Sequence, residues 1–211
     1  MLSKSPGMMV IVSSPSGAGK TTLVRLLAER NGDFVISISY TTRIPRKNEI
    51  HGRDYYFLSN KEFNNIIKKK LFYEYARVFN NYYGTLKTPV IKNLSLGKDV
   101  LFDIDWQGSE QIKKQKIDNK LISIFILPPS IQILKERLYK RDMRDKTIVK
   151  ERMSQFKNDV KHWVDYDYVA INHNLEDCYK EITQVINLEK KGNSFLFDKE
   201  KIKKKVIELT S

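Results

Sequence analysis

The chain has 211 residues, with 38 lysines and arginines against 25 acidic residues and a formal net charge of +13. This length suits one compact domain, or a core with a small inserted lobe, and a hydrophobic content of 41% excludes a disordered chain. No apolar run approaches the ~20 residues of a membrane span, and the N-terminus lacks the apolar stretch of a secretory signal. The single cysteine, Cys178, cannot form an internal disulfide. We therefore expect a cytoplasmic protein with no membrane partner.

The positive charge resides mainly in lysine, with 28 lysines and 10 arginines beside 14 asparagines. This bias is typical of compositional drift toward Lys and Asn, so the charge by itself does not predict a nucleic-acid partner. The arginines are more informative, because bidentate phosphate binding needs the planar guanidinium. They concentrate in two segments, one with Arg43 and Arg46 and the other with Arg137, Arg141, Arg144 and Arg152. We expect two phosphate-binding segments.

The N-terminal part of the chain predicts a strand, a glycine-rich turn and a helix. The apolar residues 8–13 precede a Ser-Pro-Ser-Gly-Ala-Gly turn, and an amphipathic stretch then runs to residue 30. A second strand is expected at residues 34–37, followed by a loop in which Pro45 excludes a helix. Residues 52–88 interrupt this alternation with strands expected at 55–58 and 72–78 around a helix at about 61–70. This interruption predicts an inserted lobe.

The alternation of strands and helices resumes after residue 88. Strands are expected at residues 100–105, 121–127 and 168–171, and helices at 131–140, 147–163 and 175–190. Several of these strands are apolar on both faces, which favours an α/β fold with a parallel sheet covered by helices on both faces. Residues 191–211 form a basic, helical C-terminal tail to which the sequence assigns no role.

Residues 14–21 match the phosphate-loop pattern G-x-x-x-x-G-K-[ST] in all but the first position. They are Ser14, Pro15, Ser16, Gly17, Ala18, Gly19, Lys20 and Thr21. The backbone N–H groups of such a turn converge on an anion, and the following helix adds its positive N-terminal dipole. Lys20 would bridge the β- and γ-phosphates, and the Thr21 hydroxyl would bind Mg²⁺. The segment predicts binding of a nucleoside triphosphate with magnesium and leaves the second substrate open.

Five further motifs indicate a resemblance to a known family. They are SYTTRIPRKNE at 39–49, HGRDY at 51–55, NYYGT at 81–85, DIDWQG at 103–108 and FILPPS at 125–130. With the phosphate loop, they make residues 8–189 resemble guanylate kinases, a family of P-loop nucleoside monophosphate kinases. The resemblance implies transfer of the γ-phosphoryl group of ATP to GMP, giving ADP and GDP, in purine nucleotide metabolism and GMP recycling. It also implies a P-loop core, an inserted mixed α/β GMP-binding lobe and a short helical lid.

The resemblance assigns the predicted domains and residues. The core would comprise residues 1–38 and 89–190 with a lid at about 137–155, and the GMP-binding lobe residues 39–88. The GMP phosphate would be held by Ser39, Arg43, Arg46, Tyr55 and Tyr83, and the guanine read by Glu74, Thr85 and Asp103. A carboxylate and a hydroxyl complement the N1–H and N2–H₂ donors and the O6 acceptor of guanine, whereas adenine would leave polar groups unpaired. The lid arginines Arg137, Arg141 and Arg152 would join Lys20 and Arg43 in catalysis. Asp105, at the C-terminal end of a strand, would act near Mg²⁺ or near Arg43, through water rather than directly.

Some positions depart from the family pattern. Asn48 and Asp142 stand where glycine is usual, His173-Asn174 replaces two aspartates after Asn172, and Thr85 replaces a frequent serine but keeps the hydroxyl. None of these changes removes a required chemical group.

Three other functions fit parts of the sequence: a non-enzymatic scaffold domain of the same fold, a kinase for another nucleoside monophosphate, and a nucleic-acid-binding NTPase. The sequence does not determine the oligomeric state.

Overall fold

The structure, a computed structural model, describes residues 6–141, 145–193 and 195–211, with Arg141 described by its backbone alone. It contains two sheets. The strands are β1 Met9–Ser13, β2 Phe34–Ser37, β3 Tyr40–Thr41, β4 Tyr56–Phe57, β5 Phe72–Val78, β6 Asn81–Leu86, β7 Asp99–Asp103, β8 Leu121–Leu127 and β9 Tyr168–Ile171. The helices are α1 Lys20–Arg30, α2 Asn60–Lys68, α3 Lys87–Ser95, α4 Trp106–Lys113, α5 Ile131–Arg141, α6 Lys146–Asp159, α7 Leu175–Lys190 and α8 Lys199–Thr210, with a 3₁₀ turn at Val160–Asp165.

The first sheet is parallel, with the strand order β2-β7-β1-β8-β9. Every residue of the central strand β1 is buried. Its alternate side chains contribute to two hydrophobic clusters on opposite faces: Met9 and Ile11 pack on one face, and Val10 and Val12 on the other. Because the strands are parallel, their carboxyl ends meet at one edge, where open α/β sheets bind ligands.

The second sheet has the order β4-β3-β6-β5 and is mixed, since β3 pairs parallel with β4 and antiparallel with β6. Helix α4 connects the two sheets, because it contacts β5 of the second sheet and β1 of the first. The Gln111 side chain of α4 donates to the backbone oxygen of Tyr75 at 2.8 Å and accepts from its N–H at 3.1 Å. An amide side chain therefore caps an edge strand whose backbone groups would otherwise stay unpaired.

The architecture is the α/β fold predicted from the sequence, with a parallel sheet covered on both faces. The second sheet runs from Tyr40 to Leu86, and the domain boundaries at 38, 88 and 190 stay predictions. Several details differ from expectation, and the strands β3 and β6 and the helix α3 lie where no element was expected. The helix expected at 147–163 ends at Asp159 and continues as the 3₁₀ turn, and the strand expected at 100–105 ends at Asp103. Asp105 instead caps the N-terminus of α4, a helix that the apolar pattern did not reveal.

The C-terminal tail is packed against the rest of the protein. Ile202 and Leu209 of α8 are buried in the same hydrophobic cluster as Phe156 of α6. The Lys157 ammonium donates to the backbone oxygen of Thr210 at 3.0 Å, a favourable contact for a cation at a helix C-terminus. Among the described residues, no helix combines the length and hydropathy needed to cross a lipid bilayer.

Candidate active site

The phosphate loop joins the carboxyl end of β1 to the N-terminus of α1. Gly17 and Gly19 have φ angles of 89° and 101°, a left-handed conformation that side chains disfavour. Gly19 is also constrained by space, because a Cβ there would lie 2.3 Å from Nδ2 of Asn172. Within the loop, the Ser14 hydroxyl donates to the Pro15 oxygen at 2.9 Å, and the Ala18 N–H donates to the same oxygen at 3.3 Å. The two glycines are thus required by backbone conformation and, at Gly19, by packing.

Side chains far away in the sequence hold this loop. The Ala18 oxygen accepts from Asn172 at 2.9 Å and from Arg137 at 3.2 Å. Arg152 donates to the Ser16 hydroxyl at 2.8 Å. Two of the three predicted lid arginines therefore lie at the phosphate loop, one from α5 and one from α6. Arg141 is the last residue of α5 and its side chain, like Asp142 and Arg144, lies outside the described residues.

Lys20 lies at the beginning of α1 and contacts the neighbouring strand β7. Its ammonium pairs with the Asp103 carboxylate at 2.8 Å and donates to the Ile104 oxygen at 2.8 Å. The structure thus brings Asp103 to the phosphate-loop lysine, while its predicted role in reading guanine stays a prediction. Thr21, in the first turn of α1, is exposed.

Asp105 follows β7 and caps α4. Its carboxylate accepts from the backbone N–H of Gly108 at 3.0 Å and from the Gln107 amide at 3.2 Å. Gly108 lies directly beside Glu74, since a Cβ at this position would be 2.5 Å from a Glu74 carboxylate oxygen. The glycine in the DIDWQG motif therefore makes room for a carboxyl group from the second sheet.

Glu74 and Thr85 are partners in the register of β5 and β6, and both are buried. The pKa of the Glu74 carboxyl is raised to about 7, mainly by burial; the Asp105 carboxylate also raises it, whereas Thr85 and Lys20 lower it. The Thr85 hydroxyl lies beside this carboxyl without completing a hydrogen bond of normal geometry. Buried polar groups in folded proteins are nearly always hydrogen-bonded, so this pair has binding capacity left for a ligand.

A second polar cluster surrounds the carboxylate of Glu49. Arg43 and Arg46 donate to it at 2.8 and 3.1 Å. Burial alone would raise the pKa of the Glu49 carboxyl, but hydrogen bonds from Arg43 and from the backbone N–H of Arg46 hold it below its usual value. Arg43 also donates to the Tyr83 hydroxyl at 3.1 Å and lies over the Tyr55 ring, 5.4 Å from its centre. Four of the five residues predicted to hold the GMP phosphate are therefore together.

The fifth residue predicted for the GMP phosphate, Ser39, is buried. It directly precedes β3 and is four residues before Arg43 in the chain. Sequence reasoning missed two contributors to the site. Glu49 orients both arginines, and its place within the SYTTRIPRKNE motif was a signal that could have found it. Asn172 holds the phosphate loop from the carboxyl end of β9, a connection over 154 positions that no local pattern shows.

Comparisons with known proteins agree with this geometry. The guanylate kinase family model matches residues 7–189, which is most of the chain. The chain belongs to the guanylate kinase family. It is 46% identical to the guanylate kinase of Hyphomonas neptunium over 184 residues, covering 87% of this chain and 84% of the relative. It is 45% identical to that of Rickettsia prowazekii over 190 residues, covering 90% and 95% of the two chains.

Solved structures of guanylate kinases show the same likeness. The crystal structure of guanylate kinase from Anaplasma phagocytophilum superposes with a TM-score of 0.73 at 32% identity, covering 90% of this chain and 89% of the other. The fold and the family expected from the sequence are thus confirmed. The family match ends at residue 189, so α8 lies beyond the part of the chain that the family model describes.

Proposed function

We propose that this guanylate kinase family member transfers the γ-phosphoryl group of ATP to GMP, giving ADP and GDP. The observation that carries the acceptor assignment is the buried Glu74–Thr85 pair. A carboxylate can accept from N1–H and N2–H₂ of guanine, and a hydroxyl can donate to O6. Adenine presents the reverse pattern at these positions, and each buried polar group left unpaired costs about 1–3 kcal/mol. The pair therefore favours guanine over adenine.

The cluster around Glu49 would bind the GMP phosphate. Arg43 and Arg46 supply planar guanidinium groups that match phosphate oxygens, and Tyr55 and Tyr83 supply hydroxyl groups. Glu49 fixes the direction of both arginines before the nucleotide arrives, which reduces the entropy lost on binding. Ser39 would complete this site.

The ATP side would use the phosphate loop and the lid. The N–H groups of residues 14–21 would hold the β-phosphate, and Lys20 would exchange Asp103 for oxygens of the transferring group. Arg137, Arg141 and Arg152 would neutralise the charge that spreads over that group, which is the main task of a phosphoryl-transfer enzyme. Closure of a lid at about residues 137–155 would exclude water from the γ-phosphate.

The residues present fit a magnesium ion that is held mainly by the nucleotide. Mg²⁺ commonly binds one or two protein oxygens and completes its shell with phosphate oxygens and water. Thr21 is exposed at the N-terminus of α1, and the described residues contain no cluster of three or more metal-binding side chains. Thr21 would bind the ion directly and Asp105 through water. When bound, the ion would neutralise charge on the β- and γ-phosphates.

The substrates ATP and GMP are the proposed partners, and the proposed location is the cytoplasm, where both nucleotides occur. The test is ADP release from ATP and Mg²⁺ with GMP, AMP, UMP, CMP and dTMP offered separately. We expect turnover with GMP and little with the others. Turnover with a different monophosphate would overturn the assignment of the base site, and GMP binding without turnover would favour a scaffold domain. As a control, Lys20→Ala should abolish transfer and leave GMP binding detectable.

A further inference from the structure

The second sheet is attached to the rest of the protein at both of its edges, in two different ways. At the β5 edge, Gln111 makes two backbone hydrogen bonds, and Gly108 packs against Glu74. At the opposite edge, the loop of residues 50–55 leads into β4 and reaches α1. There the attachment includes an ion pair between Arg25 of α1 and Asp54 of the loop.

Hydrogen bonds within its own loop orient the Asp54 carboxylate for this contact. Its carboxylate accepts from the Ile50 N–H at 2.8 Å and from the Arg53 side chain at 3.1 Å, and Arg25 binds the other oxygen. The Ile50 N–H and the two arginines keep the pKa of Asp54 below its usual value, against the effect of burial. The Asp54 side chain is 4% exposed, but its two ion-pair partners, Arg25 and Arg53, are 52% and 62% exposed, so the carboxylate lies close to the surface.

The ion pair links the two phosphate-binding clusters. Arg25 is five residues beyond Lys20 on α1, which is about 7.5 Å along the helix axis. Asp54 directly precedes Tyr55, whose ring lies beneath the guanidinium of Arg43. A short path of covalent and polar contacts therefore runs from the phosphate loop through Arg25 and Asp54 to the cluster around Glu49.

We propose that Arg25 is a positioning residue that holds the GMP-phosphate cluster against α1 through Asp54. In this role Arg25 acts through Asp54 and not by direct contact with a nucleotide. Its ion pair fixes the edge of the second sheet that the contacts of α4 leave free to move, and thereby sets the distance between the two phosphates that must meet. The inference rests on the proposed function, because it concerns the placing of GMP relative to ATP.

The test compares Arg25→Ala with a matched control, Arg30→Ala. Arg30 is on the same helix and also forms an exposed ion pair, 2.7 Å from Glu176 on α7, but this pair joins two helices that both pack on the first sheet. Steady-state kinetics would give KM for GMP, KM for ATP and kcat. Exposed ion pairs change an equilibrium by up to about five-fold. We therefore expect Arg25→Ala to raise KM for GMP about two- to five-fold, with KM for ATP unchanged.

Two further measurements separate positioning from general damage. Arg25→Lys keeps the charge and should restore most of the affinity for GMP, whereas Arg30→Ala should change neither KM. The ratio of KM for GMP between Arg25→Ala and the wild-type chain should approach one at about 1 M salt, where charges are screened beyond about 3 Å.

Equal KM values for GMP in Arg25→Ala and Arg30→Ala would overturn the proposal, and so would a parallel rise in both KM values of Arg25→Ala. Absence of GMP turnover in the wild-type chain would instead overturn the proposed function and this inference with it. The two failures are thus distinguished by the wild-type measurement alone.

Discussion

Glu49 and Glu74 lie at opposite ends of the proposed GMP site, and their surroundings act on them in opposite directions. Glu49 is held by two guanidinium groups, which keep its pKa below the usual value. Glu74 is buried beside a glycine and a threonine, and its pKa is raised to about 7. The same residue type therefore serves as a permanent anion at one end and as a group near its titration point at the other.

The difference shows that ion pairing and burial give two glutamates of one site different roles. A carboxylate bonded to arginines stays charged and orients them, whereas a buried carboxyl group that forms no ion pair among the described residues keeps its hydrogen-bonding capacity for a ligand. The phosphate end is thus arranged in advance, and the base end is completed by the nucleotide. Each prediction below separates the two glutamates by a different measurement.

The largest effect is expected from Glu74→Ala. Guanine would lose an acceptor for two N–H donors, and a hydrogen bond to a charged group contributes about 1.5–3 kcal/mol. We expect kcat/KM for GMP to fall at least about 100-fold and KM for ATP to stay unchanged. Glu110→Ala on the exposed face of α4 is the control. An unchanged preference among nucleoside monophosphates in Glu74→Ala would contradict the assignment of Glu74.

Glu74→Gln should stabilise the folded protein at high pH. The folded-state pKa of about 7 lies above the usual value of 4.5, so ionising this buried carboxyl lowers the free energy of unfolding. The free energy of unfolding is highest below pH 4.5 and falls by about 3 kcal/mol as the pH rises from 4.5 through 7. The midpoint of thermal unfolding of Glu74→Gln should therefore exceed that of the wild-type chain at pH 8 and match it near pH 4.5.

Glu49→Gln should change stability with pH in the opposite direction to Glu74→Gln. The pKa of Glu49 is lowered, so its stabilising effect is present above the usual pKa and is lost as the pH falls below it. This variant should be less stable than the wild-type chain at pH 8, and the difference should shrink on acidification. If both glutamine variants shifted stability in the same direction at pH 8, the contrast between the two carboxyl groups would be wrong.

The affinity for guanosine should increase with pH. Only the ionised Glu74 can accept from both guanine donors, and a group with a pKa of about 7 gains about ten-fold in ionised fraction between pH 6 and pH 8. Guanosine is the suitable ligand because it lacks the phosphate, which titrates near pH 6. Calorimetry at both pH values should show up to about ten-fold tighter binding at pH 8, and a constant affinity would contradict the role of this carboxyl.

A smaller effect is expected from Glu49→Gln on GMP binding. Arg43 would keep its contacts with Tyr83 and Tyr55 but lose the ion pair that fixes its direction. Ordering one long side chain costs about 0.5–1.5 kcal/mol, so KM for GMP should rise about two- to ten-fold with guanosine affinity unchanged. A fall in KM would mean that Glu49 competes with the phosphate for Arg43.

The sequence predicted the parts of the site that depend on local order. The phosphate loop, the pair of Arg43 and Arg46, and the strands β5, β8 and β9 follow from residue patterns over four to eleven positions, and the structure has these strands where they were expected. The short strand β3 and the helix α4 were not predicted, because two residues make no period and the eight residues of α4 have few apolar positions. Tertiary contacts, not propensity, stabilise these elements.

Chain order and residue type thus determined the fold class, the phosphate loop and the family of this protein, because each is encoded in neighbouring residues. Only the tertiary structure decided which distant groups meet. Asn172 and Arg137 hold the Ala18 oxygen, Arg25 reaches Asp54, and Gly108 makes room for Glu74. The ionisation of Glu74 belongs to the same class, since burial raises its pKa and burial arises only when two sheets and a helix come together.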